Sequence, residues 1–186
     1  DFVPPAYRAL AFTDLEIPLV VNGEKTGEFM LEPRVEARLL QSLAIRKHEH
    51  VLEIGAGSGY MAALLAHRAR HVTTCEIHPG LASFARANLQ RAGVRNAVVE
   101  QRDGAQPVAG GNIEVILLSG WVPFVPEALL RRLTVGGRLA AITGDAPAMA
   151  GQLITRTGPD SFSAETLFET EAPRLHGFPE KDGFRF

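Results

Sequence analysis

The strongest chemical signal in the chain is the stretch Val51-Leu52-Glu53-Ile54-Gly55-Ala56-Gly57-Ser58-Gly59-Tyr60. An apolar run enters a glycine-rich turn and leaves toward a helical pattern. Gly55 and Gly57 lack the side chains that would hold a ligand off the backbone; Ala56, Ser58 and Gly59 keep the turn small. The spacing is Gly-x-Gly-x-Gly, not the Gly-x-Gly-x-x-Gly that seats a pyrophosphate on a helix N-terminus. Glu53, just before the turn, also argues against a bound anion and suits a cationic group. Glu76 follows at the end of the next strand-like run, about twenty residues downstream, where an acidic side chain can accept hydrogen bonds from both ribose hydroxyls. Ile77 beside it can cover one face of a purine. After a third strand-like run, Asp103 can accept from an adenine amino group and Gly104 lets its own backbone come close. Ser119, after a fourth, completes the set.

Taken singly, these residues have ordinary readings: Glu76 as a solvated strand end, Asp103 as a turn former. On three successive strand ends, in this order, they point to S-adenosylmethionine, a nucleoside joined to a cationic amino acid. A pyridine-nucleotide dehydrogenase shares the acidic ribose device, but the loop spacing and Glu53 disfavour it.

The elements that must hold these residues alternate. Residues 1–30 lack periodicity and are punctuated by Pro4, Pro5, Pro18, Gly23 and Gly27, which predicts irregular structure with one short helix. Glu32-Pro33 opens an amphipathic helix to about Arg46, with Val35, Leu39, Leu40 and Leu43 on one face. Strands are expected at 51–55, 71–77, 97–101, 113–118 and 138–143, and helices at 58–68, 78–93 and 125–133. Such alternation implies a doubly wound, mostly parallel sheet with helices on both faces. An antiparallel pair, 153–156 and 163–168, is expected around Gly158-Pro159-Asp160. The expected organisation is one domain over 1–186: an N-terminal segment and helix to 46, a cofactor-binding core over 50–145, and C-terminal strands and tail over 150–186.

Composition narrows the partners. A net charge of −2 offers no basic field for nucleic acid, and no apolar run approaches the ~20 residues that span a bilayer. The one cysteine, Cys75, sits in a strand-like run and reads as a small buried hydrophobe. A lone thiol suits a reducing, cytoplasmic setting. None of the six histidines, His48, His50, His67, His71, His78 and His176, shows a ligand pattern, so no metal is expected.

These segments resemble the class I methyltransferase motifs, and more narrowly the protein-L-isoaspartate O-methyltransferases. Asp1-Phe2-Val3-Pro4, through Tyr7-Arg8, Ala11 and Asp14 to Ile17-Pro18-Leu19, is similar to that family's N-terminal signature. Residues 51–60 match its glycine loop and Asp103-Gly104 its adenine-site turn. Val125-Pro126-Glu127-Ala128-Leu129 and Leu133-Thr134-Val135-Gly136-Gly137-Arg138-Leu139 resemble its late helix and following strand. The resemblance implies S-adenosylmethionine as cofactor, an isoaspartyl protein or peptide as substrate, and a role in protein repair. Two departures bear on the acceptor. The family's hydroxyl residue before its first long helix falls on Leu31 when counted back from Pro33; counted forward from Pro18 it falls on Thr26, the one candidate. The family's small, Ala-rich segment after the fourth strand reads Ser119-Gly120-Trp121-Val122-Pro123-Phe124, and Trp121 reads as core filler or as a reshaped acceptor pocket.

A carboxylate acceptor is ionised near neutral pH and needs no general base; the enzyme must align it with the methyl group and exclude water. The absence of a catalytic dyad or metal set therefore fits an isoaspartyl acceptor better than a phenol or catechol. The alternatives are a methyltransferase with another protein or small-molecule acceptor, and a non-catalytic cofactor-binding module.

Overall fold

In the computed structural model, which describes residues 1–106, 111 and 113–180, seven strands form one sheet in the order β5-β4-β3-β6-β7-β8-β9. They are β3 (His50–Ile54), β4 (His71–Glu76), β5 (Ala97–Gln101), β6 (Ile113–Val122), β7 (Leu133–Asp145), β8 (Ala148–Arg156) and β9 (Phe162–Glu169). The first five of these strands pair in parallel, and β8 and β9 add antiparallel to β7. The chain leaves β3 toward β4 on one side and later returns to β6 on the other, so the sheet has its switch point between β3 and β6, where such folds bind ligands.

Side chains alternate across the strands and build two cores. Val51, Val72, Val115 and Leu117 face α1 (Pro33–Leu43), α2 (Tyr60–Arg68) and α3 (Pro79–Arg91). Leu52, Ile54, Cys75, Ile116 and Leu118 face the other way, toward Leu129 of α4 (Glu127–Leu130), Leu133 and Phe178. The helix expected at 125–133 is thus a single turn, and Leu133 already belongs to β7, because the chain after Leu130 is drawn into sheet pairing. On this face Leu175 and Phe178 of the tail share the covering.

The expectation of irregular structure before residue 30 is overturned. After a 3-10 turn at Pro5–Leu10, β1 (Ile17–Val21) and β2 (Glu24–Met30) form a separate antiparallel hairpin. Asn22 and Gly23 both have positive φ, 53° and 86°, the backbone of a tight two-residue hairpin turn. β6 and β7 also run longer than expected, to Val122 and Asp145.

A buried ion pair fastens the sheet to the loop before it. Arg138 on β7 reaches Glu49 with Nη1 to Oε1 at 2.6 Å, and donates to the carbonyls of Leu43 and Ala44 at the end of α1. No described helix is long and apolar enough to cross a membrane.

Candidate active site

The glycine loop leaves β3 in a backbone that side chains resist. Gly55 (φ 96°), Gly57 (φ 52°) and Gly59 (φ 82°) are all left-handed. At Gly59 a Cβ would also press on the backbone of Ala85 at 3.2–3.3 Å, so this position sets the close approach of α2 to α3. The loop is tied to the neighbouring strand: the amides of Gly55 and Ala56 both donate to the carbonyl of Cys75. Asn88 of α3 donates to the carbonyl of Ser58 (2.8 Å), and the Ser58 hydroxyl accepts from the Tyr60 amide.

Glu76 closes the loop from beside it. One carboxylate oxygen accepts from the Gly57 amide (2.8 Å) and the other from the His78 amide (2.9 Å). Each oxygen keeps a second lone pair for a ligand hydroxyl. Burial pushes the Glu76 carboxyl up, although the two amides work against this. Asp103 folds back on the Ala105 amide (2.9 Å) and on the Gln106 side chain (3.2 Å), a turn that presents its carboxylate at the strand end. Gly104 leaves no room for a side chain, since a Cβ would lie 2.6 Å from Cγ2 of Ile54.

Glu53 lies wholly buried beneath the loop. Its Oε1 accepts from the Ser119 hydroxyl at 2.7 Å, while Oε2 and the nearby Thr74 hydroxyl both lack a partner of regular hydrogen-bond geometry. Burial pushes its carboxyl up to about 7; the hydroxyls of Thr74 and Ser119 oppose this and Glu76 adds to it. A buried acceptor left unsatisfied asks for a counterpart, and a cationic ligand group supplies one. The residues present therefore fit S-adenosylmethionine: two carboxylates for hydroxyl and amine donors, an unpartnered acid for positive charge, and glycines for close approach.

Gly55, Gly57, Glu76 and Ile77 line one cleft together with Asp103, Gly104 and Ser119. Ala56 and Ser58 line a smaller adjoining cavity. Thr26 is not brought to either. Its hydroxyl donates to the carbonyl of Leu19 and accepts from the Glu28 amide, so it is consumed in stitching the hairpin. Trp121 lies on β6, partly buried against the core, with its indole N–H donating to the Gly144 carbonyl at 2.7 Å. Cys75 is buried and its thiol is pushed up to about 11 by burial, which leaves it unreactive. Arg34 is paired with Asp14 and Glu32, and Arg38 lies over the Phe168 ring and donates to the Leu167 carbonyl. Among the described residues no group of histidine, cysteine or acidic side chains could hold a metal.

Sequence reasoning missed two walls of the cleft. The hairpin contributes Leu19, Glu28 and Phe29, and the tail contributes Pro173, Arg174, Leu175 and His176. The tail is pinned at Trp121, whose amide donates to Pro173 (2.7 Å) and whose carbonyl accepts from Leu175 (2.8 Å). His176 then meets Glu28 of the hairpin across the opening at 3.0 Å. The Leu175 side chain drops toward the loop, 2.7 Å from where a Cβ on Gly55 would stand and 2.9 Å from one on Gly120. The remaining cavity is about 60 Å³, against the ~300 Å³ or more of usual ligand pockets.

The architecture and sequence both have known counterparts. The family model for protein-L-isoaspartate(D-aspartate) O-methyltransferase matches residues 1–170. Protein-L-isoaspartate O-methyltransferase 1 of Rhodopseudomonas palustris (strain HaA2) is 36% identical over 178 residues, covering 95% of this chain and 71% of that protein. The Magnetococcus marinus protein-L-isoaspartate O-methyltransferase is 37% identical over 171 residues, covering 90% and 72%. In fold, the chain is similar to a Plasmodium falciparum protein of that type crystallised with S-adenosyl-L-homocysteine, at TM-score 0.75 and 18% identity, covering 90% of this chain and 83% of that one. With a matched model across nearly its whole length and relatives at this identity, the chain belongs to the protein-L-isoaspartate(D-aspartate) O-methyltransferase family.

Proposed function

We propose that the cleft at the ends of β3, β4 and β6 binds S-adenosylmethionine, and that the chain transfers its methyl group to the free carboxylate of L-isoaspartyl residues in damaged proteins. The observation that carries this reading is that Glu76 and Asp103, from successive strand ends, line one glycine-rich cleft, with Glu53 buried behind it and hydrogen-bonded to Ser119 of its wall. Glu76 and Asp103 face the ribose and adenine, and Glu53, buried behind Ser119, favours the positively charged end through its field. The cofactor supplies an electrophilic methyl on a sulfonium; the protein's task is to align an already ionised carboxylate with it and to keep water out. The tail and hairpin, which meet through His176 and Glu28, form the cover that excludes solvent. The cofactor residues hang on one sheet, the hairpin and tail close over them, and the chain acts as a single unit.

The test is transfer of labelled methyl to matched peptides containing isoaspartate or normal aspartate, with cofactor binding followed by calorimetry. Base-labile label on the isoaspartyl peptide alone is the expected result. Binding without label on either peptide refutes the acceptor assignment and leaves the cofactor site standing.

A further inference from the structure

A second cavity of about 420 Å³ opens beside the cofactor cleft, between the N-terminal segment and α1, with Phe12, Ile17 and Leu31 among its apolar lining. Its volume falls in the range of ligand sites. A small cavity under the glycine loop joins the two. It shares Gly55 and Ser119 with the cofactor cleft, and Leu31, Glu36 and Tyr60 with the larger cavity. A group passing a methyl from one to the other must do so here.

Glu36 stands at that junction, and nothing so far explains it. It is 5% exposed, on the inner face of α1, and no described side chain or amide hydrogen-bonds its carboxyl. Buried carboxyls without partners are costly, so one lining the joint between two cavities points to a ligand. No lysine, arginine or histidine lines the larger cavity, and Leu31 lines it without a hydroxyl. An anionic acceptor there must be met by a neutral donor. We propose that Glu36, as the uncharged acid, is the acceptor-binding residue: it donates a hydrogen bond to one oxygen of the isoaspartyl carboxylate while the other oxygen attacks the methyl.

The step balances without proton movement. The attacking oxygen forms a bond to the methyl carbon, and the carbon–sulfur bond breaks with its electron pair going to sulfur. Carboxylate and sulfonium become ester and thioether, and Glu36 keeps its proton throughout. Burial pushes its carboxyl up to about 8, with Glu53 beneath it adding to the shift. The other titratable groups facing it are Tyr60 on α2 and Asp1 and Asp14 across the larger cavity, the last paired with Arg34. A bound sulfonium lowers the Glu36 value and the acceptor's carboxylate raises it, so the two ligands offset each other.

This rests on the isoaspartyl reading, and the test separates the two. Wild type is first assayed with isoaspartyl peptide from pH 6.5 to 9.5, and S-adenosylhomocysteine binding is measured calorimetrically in parallel. No label on that peptide at any pH refutes the functional reading and this proposal with it. Given transfer, the KM for peptide rises above about pH 8, as Glu36 ionises and repels the acceptor. Glu36→Leu raises that KM about tenfold at pH 7, the effect of one lost hydrogen bond, with cofactor-product affinity unchanged. Glu36→Gln, whose amide still donates, recovers most of this loss and abolishes the alkaline rise. An alkaline rise that persists in Glu36→Gln overturns the proposal. So does a Glu36→Leu variant that weakens S-adenosylhomocysteine binding while leaving the peptide KM alone. Both variants replace an unpartnered buried acid, so both melt at or above the wild-type temperature.

Discussion

Leu175→Ala should make the protein bind its cofactor more tightly, even though Leu175 lines the cofactor cleft. The side chain packs over Gly55 and Gly120 and narrows the cavity to about 60 Å³. A nucleoside cofactor comes close to Gly55 and Glu76 only when that side chain moves away. Binding then selects an open tail, and the apparent dissociation constant is the intrinsic one divided by the open fraction. The substitution removes three carbons that are mostly buried against Ile54 and its neighbours. At ~0.8 kcal/mol for each fully buried methylene, the closed tail loses about 1.5–2.2 kcal/mol. The open fraction, and with it the affinity for S-adenosylhomocysteine, should rise about ten- to fortyfold. Calorimetric titration of wild type and Leu175→Ala at one pH reads this directly, and stopped-flow association should quicken by a similar factor. An affinity that is unchanged or weaker refutes the reasoning, because Leu175 would then be a contact of the bound state rather than an obstacle to it.

Three other outcomes follow from the geometry. Glu53 is held up at about 7 by burial and a cation favours its ionised form, so cofactor affinity should climb between pH 6 and 8 as protons are released; Glu53→Gln should flatten that climb, and a wild-type affinity independent of pH contradicts the assignment. At Glu49, burial pushes the carboxyl up, but hydrogen bonds from Arg138 and the Arg46 amide outweigh it and the net shift is downward. Its stabilisation is therefore present above the ordinary carboxyl value of 4.5 and lost as pH falls below it; Glu49→Gln should cost about 1.5–3 kcal/mol at pH 7, since Arg138 keeps its two carbonyl partners but loses the carboxylate, and less at pH 3, measured by urea unfolding at both. Gly104→Ala places a Cβ 2.6 Å from Ile54 and 3.2 Å from Cys75, an overpacking worth about 1–3 kcal/mol; a melting temperature equal to wild type would mean that Ile54 yields freely.

The alternation of apolar runs and amphipathic stretches was legible because the central strands bury one face of side chains on α1 to α3 and the other on α4 and the tail. Val51 and Leu52, adjacent in sequence, serve different cores. The hairpin was not legible from periodicity, since β2 is Glu24-Lys25-Thr26-Gly27-Glu28-Phe29-Met30 and carries no apolar alternation. Its signal was Asn22-Gly23 between two extended runs, which is the strongest short-range mark of a tight hairpin turn. The glycine loop and the three acidic strand ends could be read because their chemistry depends on order along the chain. Glu36 looked like any polar residue in an amphipathic helix; only the packing of the N-terminal segment buries it. The tail was opaque for a related reason, as Leu175 and Phe178 acquire meaning through residues more than fifty positions away, at Gly120 and Ile116.

The hairpin's strands pair only with each other and share no ladder with the seven-stranded sheet. Its edges nevertheless furnish Leu19, Glu28 and Phe29 to one cavity and Ile17 and Met30 to the other. Such a ribbon is a natural cassette: exchanging residues 17–30 between relatives leaves the sheet's hydrogen bonding intact while altering two binding surfaces in a single stroke. Only Ile17 and Leu19, the hairpin's buried side chains, tie such an exchange to the core that keeps the protein folded.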